Sequence, residues 1–183
     1  QICLVYGEFE CVNRTDGLSH RRNYTGPMPY RRKARNISRP AVTKGWYYLS
    51  EVKSSIDAGF CKRLRDCGIE EWIAYVPCEC PAPFADIAEL YQNRLKVGKD
   101  TVWGKGSKLV YNSAYGKFAQ SIGDPMFGNA IYASLITAGC RTMVLDAIAT
   151  HPGKGSAVLM VATDAVFFRT PHPSLELSNR LGA

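Results

Sequence analysis

Long apolar runs are missing from this sequence of 183 residues. The least polar stretch, residues 128–140, is interrupted by Arg141 and falls short of the roughly 20 residues that cross a bilayer, so no membrane partner is expected. Histidine is scarce: His20, His151 and His172 stand far apart. No cysteine pair has the two-residue spacing of a zinc site, because Cys78-Glu79-Cys80 has a single intervening residue. The seven cysteines form an odd count without the regular spacing of a disulfide framework, which points to small thiols in a reducing compartment, the cytoplasm. Repeats and low-complexity tracts are absent, and 46% apolar residues exclude disorder throughout. The N-terminus has neither an initiator Met nor the basic region of a signal peptide, so it reads as the interior of a longer chain.

Positive charge, by contrast, is plentiful. Lys and Arg total 23 against 16 Asp and Glu, a formal net charge of +7. That balance favours an acidic partner such as nucleic acid, although a solvated basic face has the same composition. The same two readings apply to His20-Arg21-Arg22 and to Arg31-Arg32-Lys33-Ala34-Arg35.

Near Cys80-Pro81-Ala82-Pro83 a basic, turn-rich part gives way to a helix-rich one. Before that point, residues 3–11, 41–49 and 73–76 read as strands, and residues 50–58 as a short helix opened by Ser50 with Glu51 in its first turn. After it, Ile87, Leu90, Tyr91 and Leu95 recur at helical spacing just past Pro83. A second helix is expected over residues 107–121 and a third over 129–150, ending before His151-Pro152-Gly153. Residues 157–161 and 166–168 form a hairpin joined through Ala162-Thr163-Asp164-Ala165. Gly104-Lys105-Gly106-Ser107 and Gly153-Lys154-Gly155-Ser156 do not complete a phosphate-binding P-loop and read as turns.

Two places could carry chemistry. At about 100° per residue, Lys108, Asn112 and Tyr115 fall within about 60° of one another on one helix face. A cation, an amide and a tyrosine in line suit a polyphosphate followed by a sugar or base. An ordinary amphipathic helix with a snorkelling Lys and a half-buried Tyr has the same spacing. Asp164, between two apolar strands, needs solvent, a partner or a metal ion, and a hairpin tip supplies solvent by itself.

The nine residues Lys108-Leu109-Val110-Tyr111-Asn112-Ser113-Ala114-Tyr115-Gly116 match the K-x-x-x-N-S-x-Y-G motif of family B DNA polymerases at every fixed position. Lys117-Phe118-Ala119 continues it in the style of the protein-primed polymerases of phages, linear plasmids and other mobile elements. Residues 133–141 resemble the palm helix that follows, Val161-Ala162-Thr163-Asp164-Ala165 resembles the D-T-D-S catalytic hairpin, and Leu90-Tyr91-Gln92-Asn93-Arg94-Leu95 resembles the first fingers helix. The resemblance covers residues 85–169 and is diffuse over 1–84.

The resemblance implies an α+β fold with an antiparallel palm sheet, including the 158–168 hairpin, and two fingers helices joined near Gly98 to Gly106. Residues 1–84 would then be palm-associated or contact a priming protein, 85–123 would be the fingers, and 124–183 the palm helix and catalytic hairpin. It implies addition of deoxynucleotides to a primer 3′ hydroxyl by two-metal phosphoryl transfer, with primer-template DNA, deoxynucleoside triphosphates and a terminal protein primer as partners. Asp164 would be catalytic and a magnesium ligand, and Lys108 would grip the triphosphate. Tyr115 would border the sugar and base, Asn112 would brace the site, Arg94 would be a further phosphate ligand, and Gly116 would let backbone approach the nascent base pair.

Three departures stand beside it. Ala162 takes the place of the first acid of the hairpin, no D-x-x-S-L-Y-P motif occurs in residues 1–183, and residues 119–129 are too short for a processivity insertion. The second ligand of the two magnesium ions is therefore expected upstream of Gln1; Glu8, Glu10 and Asp146 lack the motif around them. The alternative functional reading is a degenerate, noncatalytic nucleic-acid-binding protein with the same fold.

Overall fold

A computed structural model describes residues 2–10, 29–31, 37–38, 42–63, 65, 68–76, 79, 84–120, 123, 126–162 and 164–175. Its elements are β1 (Ile2–Glu10), β2 (Tyr30–Arg31), β3 (Ile37–Ser38), β4 (Val42–Tyr48), α1 (Leu49–Asp57), β5 (Gly68–Tyr75), α2 (Ala85–Val97), α3 (Val102–Phe118), α4 (Ala130–Thr150), a 3-10 turn (Lys154–Ala157), β6 (Val158–Ala162) and β7 (Ala165–Phe168). The class is mixed α+β with an antiparallel sheet. The chain forms two compact units, residues 1–77 with 138–175 and residues 78–137 with 176–183, so the division falls inside α4.

In the first unit β1 lies between β4 and β5, antiparallel to both. Alternation along β1 turns Val5 and Phe9 inward, where they join Tyr47, Val52 and Cys61 in a buried cluster. Leu49, Val52 and Ile56 of α1 recur at helical spacing and face the same cluster. Full burial of side chains such as Phe9 and Val52 contributes about 1.5–3 kcal/mol each. The Tyr47 hydroxyl donates to the Pro29 carbonyl at 3.0 Å and lies 2.7 Å from Thr43 Oγ1, so the polar tip of this core aromatic is satisfied.

Between Tyr6 and Gly7 the β1–β5 register shifts, leaving Glu70 as an extra residue. A Cβ on Gly7 would stand 2.5 Å from the Gly68 carbonyl oxygen, so the bulge requires glycine there. A second cluster joins Ala58 and Phe60, just after α1, to Leu145 and Ile148 of α4 and Val158 of β6.

Several elements depart from the sequence expectation. Helix α1 begins at Leu49, with Tyr48 at the cap position and no side-chain cap, instead of opening at Ser50. Buried Tyr47 and Tyr48 hold the strand in the core up to the first helical residue. Strand β5 starts at Gly68, five residues before the expected 73, because β1 supplies a pairing edge that exposed Glu70 and Glu71 do not advertise. Helix α3 starts at Val102, so Gly104-Lys105-Gly106-Ser107 is helical and the α2–α3 connection runs only from Gly98 to Thr101. The β6–β7 hairpin forms its own two-stranded sheet among the described residues and does not extend the three-stranded one; apolar packing against α4 holds it. By length and composition alone, α4 is long and apolar enough to cross a membrane, contrary to the expectation from residues 128–140.

Arg141 explains part of α4's placement in the first unit. Its guanidinium forms a two-pronged pair with Glu51 of α1, with Nε on Oε1 and Nη2 on Oε2 at 3.1 Å. The Glu51 side chain is 1% exposed. Read from sequence as a first-turn acid, Glu51 is in fact the buried anchor between α1 and α4. The cue was Arg141 itself, a lone cation in an apolar helix that needed an anion.

Candidate nucleotide-binding face and hairpin

The second unit is built on the α2–α3 helical pair. Thr101 caps α3, its Oγ1 accepting the Gly104 N–H at 3.0 Å and donating to the Gly98 carbonyl at 2.8 Å. A Cβ on Gly104 would lie 2.1 Å from the Gly98 carbonyl oxygen. Glycine thus lets the start of α3 press against the preceding turn, a role that reading it as a loop residue missed. Arg94 Nε donates to the Gly104 carbonyl at 2.9 Å, and Tyr91 meets Tyr111 edge to face. At the other end, Phe84, Phe118 and Tyr132 form a triangle of tilted rings with centroids 5.2–5.7 Å apart.

These contacts turn Gly104, Ser107, Tyr111, Ala114 and Phe118 of α3 inward, and with them fixed, Lys108, Asn112, Tyr115 and Gly116 face solvent. The side chains of Lys108, Asn112 and Tyr115 have no hydrogen-bond or ion-pair partner among the described residues. Lys108 and Tyr115 are seven residues apart, about 10 Å along the axis, which is the scale of a nucleotide's phosphates and sugar. A Cβ on Gly116 would meet nothing within 4 Å. Leu109, about 20° from Gly116 around the axis, is 69% exposed, whereas Val110, 61% exposed, lies on the far side of α3 from Lys108. Arg94, by contrast, is half-buried and turned to the α2–α3 contact.

Asp164 belongs to the first unit. It sits exposed in the turn of the β6–β7 hairpin, which is closed by the Ala162–Ala165 pair. Thr163 lies outside the described residues, as do residues 20–22 and 32–35 of the basic segments and Cys11, Cys67, Cys78 and Cys80. Among the described residues no three His, Cys, Asp or Glu side chains converge, and Cys3 and Cys140 are free thiols. Glu10 pairs with Lys62, and Glu70 with Lys44 at 2.5 Å. The Glu70 hydrogen bond raises the Lys44 pKa above its ordinary value; desolvation opposes it, and the nearby negative charges add to it.

His151 and His172 are both satisfied internally. The Gly153 N–H reaches His151 Nδ1 at 3.0 Å, so His151 Nε2–H faces Thr170 Oγ1 at 3.3 Å. His172 Nδ1 accepts from Ser174 and Leu175, leaving Nε2–H to donate to the Ala147 carbonyl at 3.0 Å. Neither ring is a free ligand or base.

No family model matches the chain, and no solved structure matches it. Over 98 residues, 52% of its length, the chain is 37% identical to a protein of Acidianus bottle-shaped virus (isolate Italy/Pozzuoli) named as a DNA polymerase. The match spans only 14% of that relative's length, and it establishes a relationship between this chain and a DNA polymerase.

Proposed function

We propose that the chain is a portion of a DNA-directed DNA polymerase of family B, of the protein-primed type used by viruses and mobile elements. The observation that carries the reading is the solvent-facing stripe of α3. Lys108, Asn112, Tyr115 and Gly116 share the exposed surface of a rigid helix, with side chains free to meet a ligand. The DNA polymerase relative supports it. Lys108 binds the phosphates of the incoming deoxynucleotide, Tyr115 borders its sugar and base, Asn112 braces them, and Gly116 leaves room for the nascent base pair. Arg94 secures α3 through Gly104, and its remaining N–H groups serve as a further phosphate contact. Primer-template DNA and deoxynucleotides are then the substrates, a terminal protein supplies the primer, and the host cytoplasm is the compartment.

Asp164 at the hairpin tip serves as a magnesium ligand. The donor set suits part of such a site only: magnesium is held by one or two carboxylates with substrate phosphates, and the hairpin provides one. The other ligands come from outside the described residues. When bound, the two ions neutralise phosphate charge and activate the primer hydroxyl. A second reading, a noncatalytic nucleic-acid-binding protein, draws on Ala162, which leaves Asp164 as the hairpin's single acid.

Calorimetric titration of the chain with a deoxynucleoside triphosphate separates the two. Lys108→Ala is expected to weaken binding about tenfold or more, as loss of a charge-assisted phosphate contact does. Asp164→Ala is expected to abolish metal-dependent primer extension by the complete enzyme while leaving duplex binding intact. Unchanged nucleotide binding in Lys108→Ala overturns the polymerase reading of α3, and retained extension removes Asp164 from catalysis.

A further inference from the structure

Behind the hairpin, where α4 ends, the first unit has a concave site that none of the roles above uses. It encloses about 400 Å³, and its lining includes His151, Pro152, Ser156, Arg169, Pro171 and Pro173. His151 is buried and immobilised at its base, stacked on Phe168 at 4.7 Å with 11° between the rings and held at both nitrogens. Ser156 Oγ donates to the Gly153 carbonyl at 2.5 Å. The three prolines are exposed and offer rigid apolar surface. Arg169 is exposed and has no side-chain partner among the described residues, and no carboxylate is among the lining residues.

We infer that this concavity holds one nucleotide unit of a single-stranded nucleic acid, with its base against the prolines and its phosphate on Arg169. The anionic class follows from a free guanidinium in a site without acids, because a planar fork of N–H donors matches phosphate. The flat partner follows from the rigid apolar walls beside that cation, since proline ring faces shield the faces of a base from water while its phosphate stays on the guanidinium. That the anion is a nucleic acid rather than a free phosphate rests on the polymerase reading.

The hairpin also sets the distance. Arg169 immediately follows β7, and its backbone N–H is fixed to the Ala157 carbonyl at 2.8 Å. Five residues of extended chain separate it from Asp164, about 17 Å at 3.3 Å per residue. A strand engaged at the hairpin tip is therefore gripped a second time about 17 Å away along the hairpin, at a point that does no chemistry.

The test is fluorescence anisotropy of a labelled oligodeoxythymidylate binding to the chain at several salt concentrations, without metal or triphosphate. One phosphate contact to a single strand carries a log–log salt slope of about 0.7, so its loss at about 0.1 M salt weakens binding about fivefold. Arg169→Gln is expected to show that loss and a slope flattened by about 0.7, and Arg169→Lys to recover most of it. Lys53→Gln, an exposed cation on α1, is expected to leave the slope unchanged. A photoreactive thiothymidine oligomer is expected to crosslink within residues 151–157 or 169–173. Equal slopes for Arg169→Gln and the parent chain, equal losses in Lys53→Gln, or crosslinks only elsewhere overturn the proposal. Binding of inorganic phosphate with the same affinity as the oligomer also overturns it, leaving an anion site alone. Because the assay contains no triphosphate, its result is independent of the Lys108 titration.

Discussion

Replacing Arg141 by methionine leaves the Glu51 carboxylate without a cation, in a place where 1% of its side chain reaches solvent. Breaking a buried pair from that side costs about 3–5 kcal/mol. The opposite change is milder, because the Arg141 side chain is 26% exposed and can swing toward water once Glu51 becomes Gln. What is lost then is a pair of charge-assisted hydrogen bonds, about 1.5–3 kcal/mol. Removing both charges together, Glu51→Leu with Arg141→Met, returns the site to within about 1 kcal/mol of the parent, since apolar groups of similar volume replace a buried pair without penalty. The chain forms two units, so whole-chain unfolding is not the right readout. Hydrogen exchange of the amides in residues 138–150 reports the α1–α4 contact directly. Protection there is expected to fall by about two to three and a half decades in Arg141→Met, by about one to two in Glu51→Gln, and to return in the double variant. Equal losses in the two single variants, or a larger loss in Glu51→Gln, refute the reasoning, because the ranking follows from the unequal burial of the two partners.

Gly104→Ala places a Cβ 2.1 Å from the Gly98 carbonyl oxygen, so the first turn of α3 must move; a cost of about 1–3 kcal/mol is expected, read as faster amide exchange over residues 98–108. Gly116→Ala, whose Cβ meets nothing, is the control expected not to speed exchange and, through alanine's higher helix propensity, to slow it modestly. Lys44 reaches from β4 across β1 to Glu70 on β5, and its pKa is raised in the folded chain above its ordinary value of 10.5. Its stabilising contribution is complete below pH 10.5 and fades as pH rises through the folded value. The stability difference between parent and Lys44→Met is therefore expected to shrink in alkali, and a difference that grows there contradicts the assignment.

The parts legible in sequence were those that depend on local period. Residues 130–150 and 85–97 announce themselves as helices by length and spacing, and the β6–β7 hairpin by two short apolar runs about a turn. The stripe of Lys108, Asn112 and Tyr115 was readable for the same reason, since helical geometry alone puts these residues on one face. Hidden from it were the features set by distant partners. Glu51 and Arg141 are 90 residues apart, and neither one's neighbours indicate the other. Gly104 sits in a glycine-rich stretch that looks like a turn, while its helical state depends on the Thr101 cap and on close packing against Gly98. Strand β5 carries exposed acids where a half-buried strand would alternate, so only its pairing to β1 defines its length.

The hairpin that presents Asp164 is packed at its root and exposed along the rest of its described length. Val158 is buried and Phe168 packs against the same core, whereas Leu159, Met160, Val161 and Phe167 are about half exposed. It behaves as a cantilever about 13 Å long from Val158 to Ala162. A tilt of about 5° at the root carries the tip about 1 Å, and a displacement of that size is enough to cost about a hundredfold in a positioned reaction. In the metal-ligand role proposed for Asp164, the aim of the carboxylate is then governed by residues that never approach it: trimming a methyl group from Ile148 or Ala58, deep in the unit, is expected to loosen the clamp and shift the far end.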